Sequence, residues 1–479
     1  MTHDLHSEGL NRRRWLKKTA ALLAGSGLAG GLSLSTRFAQ AADYKALVCI
    51  FLYGGNDGMN MLVPTDTTRY NQYAGVRSAL ALPRQSLVGL GSSGYGLHPA
   101  MAALAPHWNQ GTLAPVFNVG PLAAPLTKAQ YLAEPEGSPL IPDNLFSHSD
   151  QQILWECAGT DALARTGWGG RASSTLATTN PVISVGGNGH FGVEDLRTPL
   201  VLPGPGSGFG AYGLRPEDTT WEPNRLRKLA IDALYAQAQT VDLATAYAGQ
   251  QAGAFEISQR LSGLVATMPG DAQAVPAIDA AFAGLVQDGY FSSQLAAQLY
   301  QVAKLIHGHG TVQGDRQIFF AQMGGFDTHS GQAYSGDAAS GEHAVLLKQL
   351  ADALAAFQTA LQGIAMAQQV TSFTQADFGR TFAPNSSTGT DHAWGNHQLV
   401  LGGAVKGGLT YGSYPTLVLG GPDDVGVEDW ELQGRWIPTS AVDQYAATLL
   451  SWFGATDAQL NAALPNLANF GSRRTLGFL

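Results

Sequence analysis

The sequence predicts an α/β protein with a mostly parallel central sheet, helices on both faces and a helical insertion. Three observations lead there. Strand and helix signals alternate at both ends of the chain, as they do when helices connect parallel strands. The run over residues 44–53 is apolar almost without a break, which suits a central strand covered on both faces. Residues 221–307 are instead rich in Ala, Gln and Leu at helical spacing, with few strand signals.

Each element follows in order. The first strand is stopped by Gly54-Gly55. Leu113–Gly120 is a second strand, with Pro115 at its start or on an edge, because proline cannot donate to a ladder. Residues 153–157 belong to a helix that begins near Ser147 or Ser149, and residues 181–185 form a short strand. Pro223-Asn224-Arg225 opens the helical stretch, which the Pro269-Gly270 turn and Pro276 interrupt. It is expected to cover one sheet edge as an insertion over about residues 221–310. Arg316–Met323 returns to strand character and ends at Gly324-Gly325. Leu350, Leu354, Phe357, Leu361 and Ile364 then form one helical stripe. Val370–Ala376 is a strand that delivers Asp377, and the runs 399–405 and 417–419 bracket small β elements. Thr439 or Ser440 caps a last helix that buries Ala446, Leu449, Leu450 and Phe453.

The N-terminus reads as an address. Residues 11–17 are Asn-Arg-Arg-Arg-Trp-Leu-Lys, the pattern of a twin-arginine signal. A weakly apolar run over 19–34 follows, and Ala39-Gln40-Ala41 resembles a cleavage site. The expected division is a signal at 1–41 and an α/β domain at 42–479. A membrane anchor is disfavoured because Gly25, Gly27, Gly30 and Gly31 interrupt a run already short for a bilayer. No later segment is expected to span a membrane. The mature chain should meet the twin-arginine translocon during export and reside in the periplasm or outside the cell. Export of an already folded chain suits a metal installed in the cytoplasm.

Removing 1–41 leaves 21 basic against 34 acidic residues, a net charge of −13 with His neutral. Such a surface disfavours nucleic acid and anionic lipid as partners, and an anionic ester would have to be held by local cations. Cys49 and Cys157 are too few for a disulfide framework, and a bridge between them is left open.

Four segments place polar residues just beyond strands or in a nearby loop. In Gly54-Gly55-Asn56-Asp57-Gly58, glycines allow a tight turn and Asp57 can point into the crevice as a metal ligand, with Asn56 as an oxyanion donor. A helix cap or Asx-turn is the commoner task for such an Asp. Asp327 and His329, in Gly-Gly-Phe-Asp-Thr-His, share one face of an extended segment and can bind one ion. Asp377 follows the next strand, and Arg380 could grip a phosphate-like group or form a structural salt bridge. His392 and His397, further candidate metal ligands, lie with Asp391 and Trp394 in a loop that no packing argument requires. Ser147 and Ser149 flank a helix start; if Ser149 caps it, Ser147 is left as a nucleophile at the positive end of the helix.

These segments, LYGGNDGMNMLVP, GLHPAM, SHSDQQ, GWGGR, GGFDTH, ADFGRT, GTDHAW and GRWIPTSAVDQYAATLLSWFG, resemble in sequence and order the DUF1501 family of exported bacterial proteins. That family is similar in fold to the alkaline phosphatase/sulfatase superfamily. The resemblance implies Asp57 as the first-strand metal ligand, Ser147 as nucleophile, Asp327 with His329 on a metal, Asp377 as a later ligand and His392 as the last histidine. The chain departs from the superfamily in its Asp-x-His spacing and in Phe378 after Asp377. Ser147 also lacks the Pro and Arg of a formylglycine signature.

The expectation is an exported hydrolase of a phosphate or sulfate ester, small-molecule or glycan, in which a divalent metal activates Ser147 and Arg380 holds an oxygen. Zinc suits the histidines; calcium, magnesium or manganese suits the carboxylates. The rival is a non-catalytic exported binding or assembly protein with a degenerate metal site.

Overall fold

The structure, a computed structural model, describes residues 44–479 except 136, 238–240 and 335. The expected signal at 1–41 lies outside the described residues. Within the compact unit Lys45–Leu479, beside a three-stranded and a two-stranded sheet, the largest sheet among the described residues has nine strands. In chain order these are β1 (Lys45–Leu52), β2 (Leu113–Gly120), β3 (Ile183–Ser184), β4 (Leu200–Val201), β5 (Arg316–Met323), β6 (Val370–Ala376), β7 (Asn396–Gly402), β8 (Tyr411–Gly412) and β9 (Ser440–Ala441). Their order across the sheet is β8-β2-β7-β6-β1-β5-β3-β4, with β9 paired to the end of β2. β7 runs antiparallel to both neighbours, and the other pairings are parallel.

The apolar run becomes β1, at the centre between β5 and β6 and buried in all but Lys45. Alternation splits its side chains between two cores. Leu47, Cys49 and Phe51 pack with Trp168, Phe191 and the helix Val442–Phe453. The opposite face is covered by the helices Gln294–His307 and Glu342–Gly363; there Gln298 Oε1 accepts the N–H of Gln322 in β5 at 2.8 Å.

Residues 222–307 hold the α-helices Glu222–Tyr235, Asp242–Ala266, Pro276–Phe282 and Gln294–His307, with a two-residue hairpin between the last two. The last of these helices is buried along most of its length and belongs to the layer over the sheet. Pro115 sits opposite Leu399, while the neighbour on its other side starts only at Tyr411 beside Val116, so no ladder bond is lost there. The run 417–419 is not itself a strand; Tyr411–Gly412, between the two runs, is. Ser440 enters β9 instead of capping, and Gln444 Oε1 accepts the Ala441 N–H at 2.9 Å.

No later segment was expected to come close to spanning length, and one helix does reach it. Glu342–Gly363 is long and apolar enough to cross a membrane by length and composition, and 61% of that window is buried inside the protein. Its apolar stripe reflects the core helix of an α/β layer. Cys49 and Cys157 are both free and buried.

Candidate metal centre

Parallel pairing brings the ends of β1, β5 and β6 side by side, with Leu52 opposite both Met323 and Ala376. The loops carrying Asp57, Asp327 and Asp377 therefore leave the same rim. Gly54 is required there: its φ is +110°, and a Cβ would stand 2.4 Å from the Asp327 backbone nitrogen.

Asp327 is the focus of the site. Its Oδ1 lies 2.8 Å from Arg380 Nη1, 3.0 Å from His329 Nε2, and 3.3 Å from both His148 Nε2 and His392 Nε2. Each imidazole is held from behind through Nδ1: His148 by Asp377 Oδ2 at 2.7 Å, His329 by Asp391 Oδ1 at 2.8 Å, and His392 by the Phe146 carbonyl at 2.6 Å. Ionised carboxylates and carbonyls only accept, so each Nδ1 carries a proton, and a ring in its neutral form presents a lone pair at Nε2. His329 Nε2 and His392 Nε2 then face each other at 2.8 Å. His148 Nε2 is buried and makes no hydrogen bond. Lone pairs converging on a carboxylate repel unless a cation or a shared proton lies among them.

The electrostatics agree. Burial alone would raise the Asp327 carboxyl, but the hydrogen bond and charge of Arg380 hold it below its ordinary value. Burial would likewise raise Asp391, but hydrogen bonds from Asn385 and His329 outweigh it and hold that carboxyl below its ordinary value. Burial lowers His392, whereas the hydrogen bond to Asp377 raises His148. Donor atoms of His148, Asp327 and His392 all lie within 4.8 Å of one another. His148, Asp327 and His392 could hold a metal ion together, with His329 beside them, and carboxylate or carbonyl support behind each ring is how such ligands are held.

Other expected site residues have different parts. Asp377 is fully buried and stands behind the ligands: its Oδ2 also accepts from Gly54 N–H at 3.1 Å and Gln152 Nε2 at 2.9 Å. Asp57, expected as a ligand, is a fully buried helix cap that accepts from Met59 and Asn60 N–H. Its oxygens also take Arg77 and Gln332, and the Arg77 charge overcomes burial to hold its pKa low. Arg380, expected to hold substrate, is 1% exposed. Its donors go to Asp327, the Gly54 carbonyl and Thr390. His397 is buried in the core, where Nδ1 accepts the Asn118 N–H at 3.1 Å and burial pushes its pKa down to about 3. Asn56 Oδ1 accepts from His343 Nε2 at 2.9 Å.

Ser147, rather than Ser149, occupies the cap position of the ten-residue helix His148–Cys157, yet it makes no side-chain capping bond. Its Oγ lies 3.2 Å from Ser149 Oγ. The adjacent Phe146 has φ +75°, a conformation that L side chains rarely adopt. His148 and the support from Phe146 were not legible as site features, and Asp391 stood out only as a neighbour of His392. The available signal was a histidine in the first helical turn within SHSDQQ.

No curated protein matches the chain. Among solved structures, Ps i-CgsB in complex with k-i-k-neocarrahexaose is 9% identical, covering 87% of this chain and 73% of its own, with a TM-score of 0.33. A mutant of alkaline phosphatase PafA is 11% identical, covering 71% and 63%, with a TM-score of 0.22. Likenesses of that degree carry no argument about activity. The model of the family described as "Protein of unknown function (DUF1501)" matches residues 44–425. The chain belongs to the DUF1501 family.

Proposed function

We propose that the chain is an exported, metal-dependent hydrolase of a phosphate or sulfate ester. The observation that carries this reading is the convergence of three Nε2 atoms on Asp327 Oδ1, each ring locked through its Nδ1. His148, Asp327, His329 and His392 would hold the metal. Zinc suits this imidazole-rich set better than calcium, magnesium or manganese. A bound divalent ion supplies Lewis-acid stabilisation and a lowered pKa for an oxygen nucleophile.

The chain supplies the rest. Asp377, Asp391 and the Phe146 carbonyl keep the imidazoles in one tautomer, and Arg380 fixes the Asp327 carboxylate. Ser147 offers a hydroxyl one residue from His148, at a helix start whose unpaired N–H groups favour developing negative charge. An open depression of about 570 Å³, lined by Tyr131, Ile141, Asn144 and Leu145 among others, adjoins this loop and would take the small-molecule or glycan alcohol. The twin-arginine pattern supports action in the periplasm or outside the cell.

One observation favours the rival reading, an exported binding protein: the Ser147 hydroxyl is shared with Ser149. Aryl phosphate and aryl sulfate assays on the zinc-loaded chain separate the two. The hydrolase reading expects turnover that Ser147→Ala abolishes with metal retained. A fully metallated chain inert on both ester classes would favour binding.

A further inference from the structure

We infer that Arg435 is the residue that grips the anionic group of the substrate, an inference that rests on the ester-hydrolase reading above. An anionic ester approaching a net-negative protein needs a local cation. Arg380 cannot serve, because its donors are committed to Asp327, Gly54 and Thr390.

Arg435 stands on the other side of the ligand support. Its guanidinium carbon lies 4.5 Å from the centroid of the Phe146 ring, and the Phe146 carbonyl holds the imidazole of His392 at 2.6 Å. The guanidinium is thus one residue removed from a metal ligand. Among the described residues no carboxylate forms a salt bridge to it within 4.0 Å, and its Nε is buried without a partner.

The acidic groups around it, Asp391, Asp424 and Glu431, are otherwise engaged. Asp391 is bound to His329 and Asn385. Glu431 accepts from the backbone of Val427 and Glu428. Asp424 takes four backbone N–H groups, from Gly420, Gly426, Gly434 and Arg435 itself. Asp424 therefore fixes the Arg435 main chain without neutralising its side chain. A guanidinium stacked on an aromatic face and lacking a carboxylate partner keeps donors for a bidentate grip on an oxyanion. Its place in the GRWIPTS segment had no assigned part until the geometry supplied one.

The test is calorimetric titration of the zinc-loaded full chain with inorganic phosphate, inorganic sulfate and acetate, comparing wild type, Arg435→Gln and Arg435→Lys at equal metal content. The expected result is at least about tenfold weaker phosphate or sulfate binding in Arg435→Gln, with partial recovery in Arg435→Lys, which restores charge without the fork. Equal oxyanion affinity in wild type and Arg435→Gln, with ester turnover intact, overturns the role of Arg435 and leaves the hydrolase reading standing. Arg435-dependent acetate binding without phosphate or sulfate binding supports the anion grip and removes the ester reading. A wild type that binds none of the three overturns both. If circular dichroism shows Arg435→Gln unfolded, Arg435→Lys decides: undiminished affinity there overturns the proposal.

Discussion

His148 Nδ1 and Asp377 Oδ2 lie 2.7 Å apart, and that contact determines which nitrogen His148 turns toward Asp327. Asp377→Asn removes the charge and presents a donor of its own, so the ring loses its enforced tautomer. Metal affinity should fall about 10–100-fold with the fold retained. Competition against a chromophoric chelator checks this; undiminished affinity would show that Asp377 does not support the site.

Arg77 and Asp57 are both fully buried and paired, so they should matter to stability and not to metal content. Arg77→Met leaves the carboxylate buried without its counter-charge and should cost about 3–5 kcal/mol. Urea unfolding measures the loss, and metal content of the folded fraction should match wild type. A variant of wild-type stability that lacks metal would reverse this assignment.

Asp443 gives a pH signature. It is fully buried; Oδ1 accepts the Asn466 N–H at 2.9 Å and Oδ2 has no partner. Burial pushes its pKa from 3.8 up to about 7. Between those values the folded chain keeps a proton that the unfolded chain releases, so this group's contribution to stability falls as pH rises through that window. Asp443→Asn should therefore gain in melting temperature relative to wild type on going from pH 5 to pH 8, readings that lie on either side of the raised value. A difference independent of pH would mean the carboxyl is not held protonated.

The strands were legible because β1 and β5 carry apolar runs that stop at glycines, and β6 is a stretch of β-branched and aromatic residues that ends at an Asp. Asp327 and His329 were legible because their motif follows a strand, and His392 because its loop is crowded with polar residues, although that loop also packs, with Trp394 fully buried. Asp57 was not: its partner Arg77 is 20 residues away and meets it only in the fold. Arg380 similarly contacts the Gly54 carbonyl 326 residues away. His148 was masked by the serines on either side, and the group that aims it lies 229 residues distant. Local sequence identifies which residues can do chemistry; the tertiary contacts decide which of them are already occupied.

Metal content of the purified chain by mass spectrometry, beside Asp327→Ala and His148→Ala, tests the central claim most directly. The geometry predicts about one divalent ion per wild-type chain, with zinc favoured, and a near-complete loss in both variants. Full occupancy in Asp327→Ala, or a wild type that takes up no divalent ion when supplied with one, would contradict it.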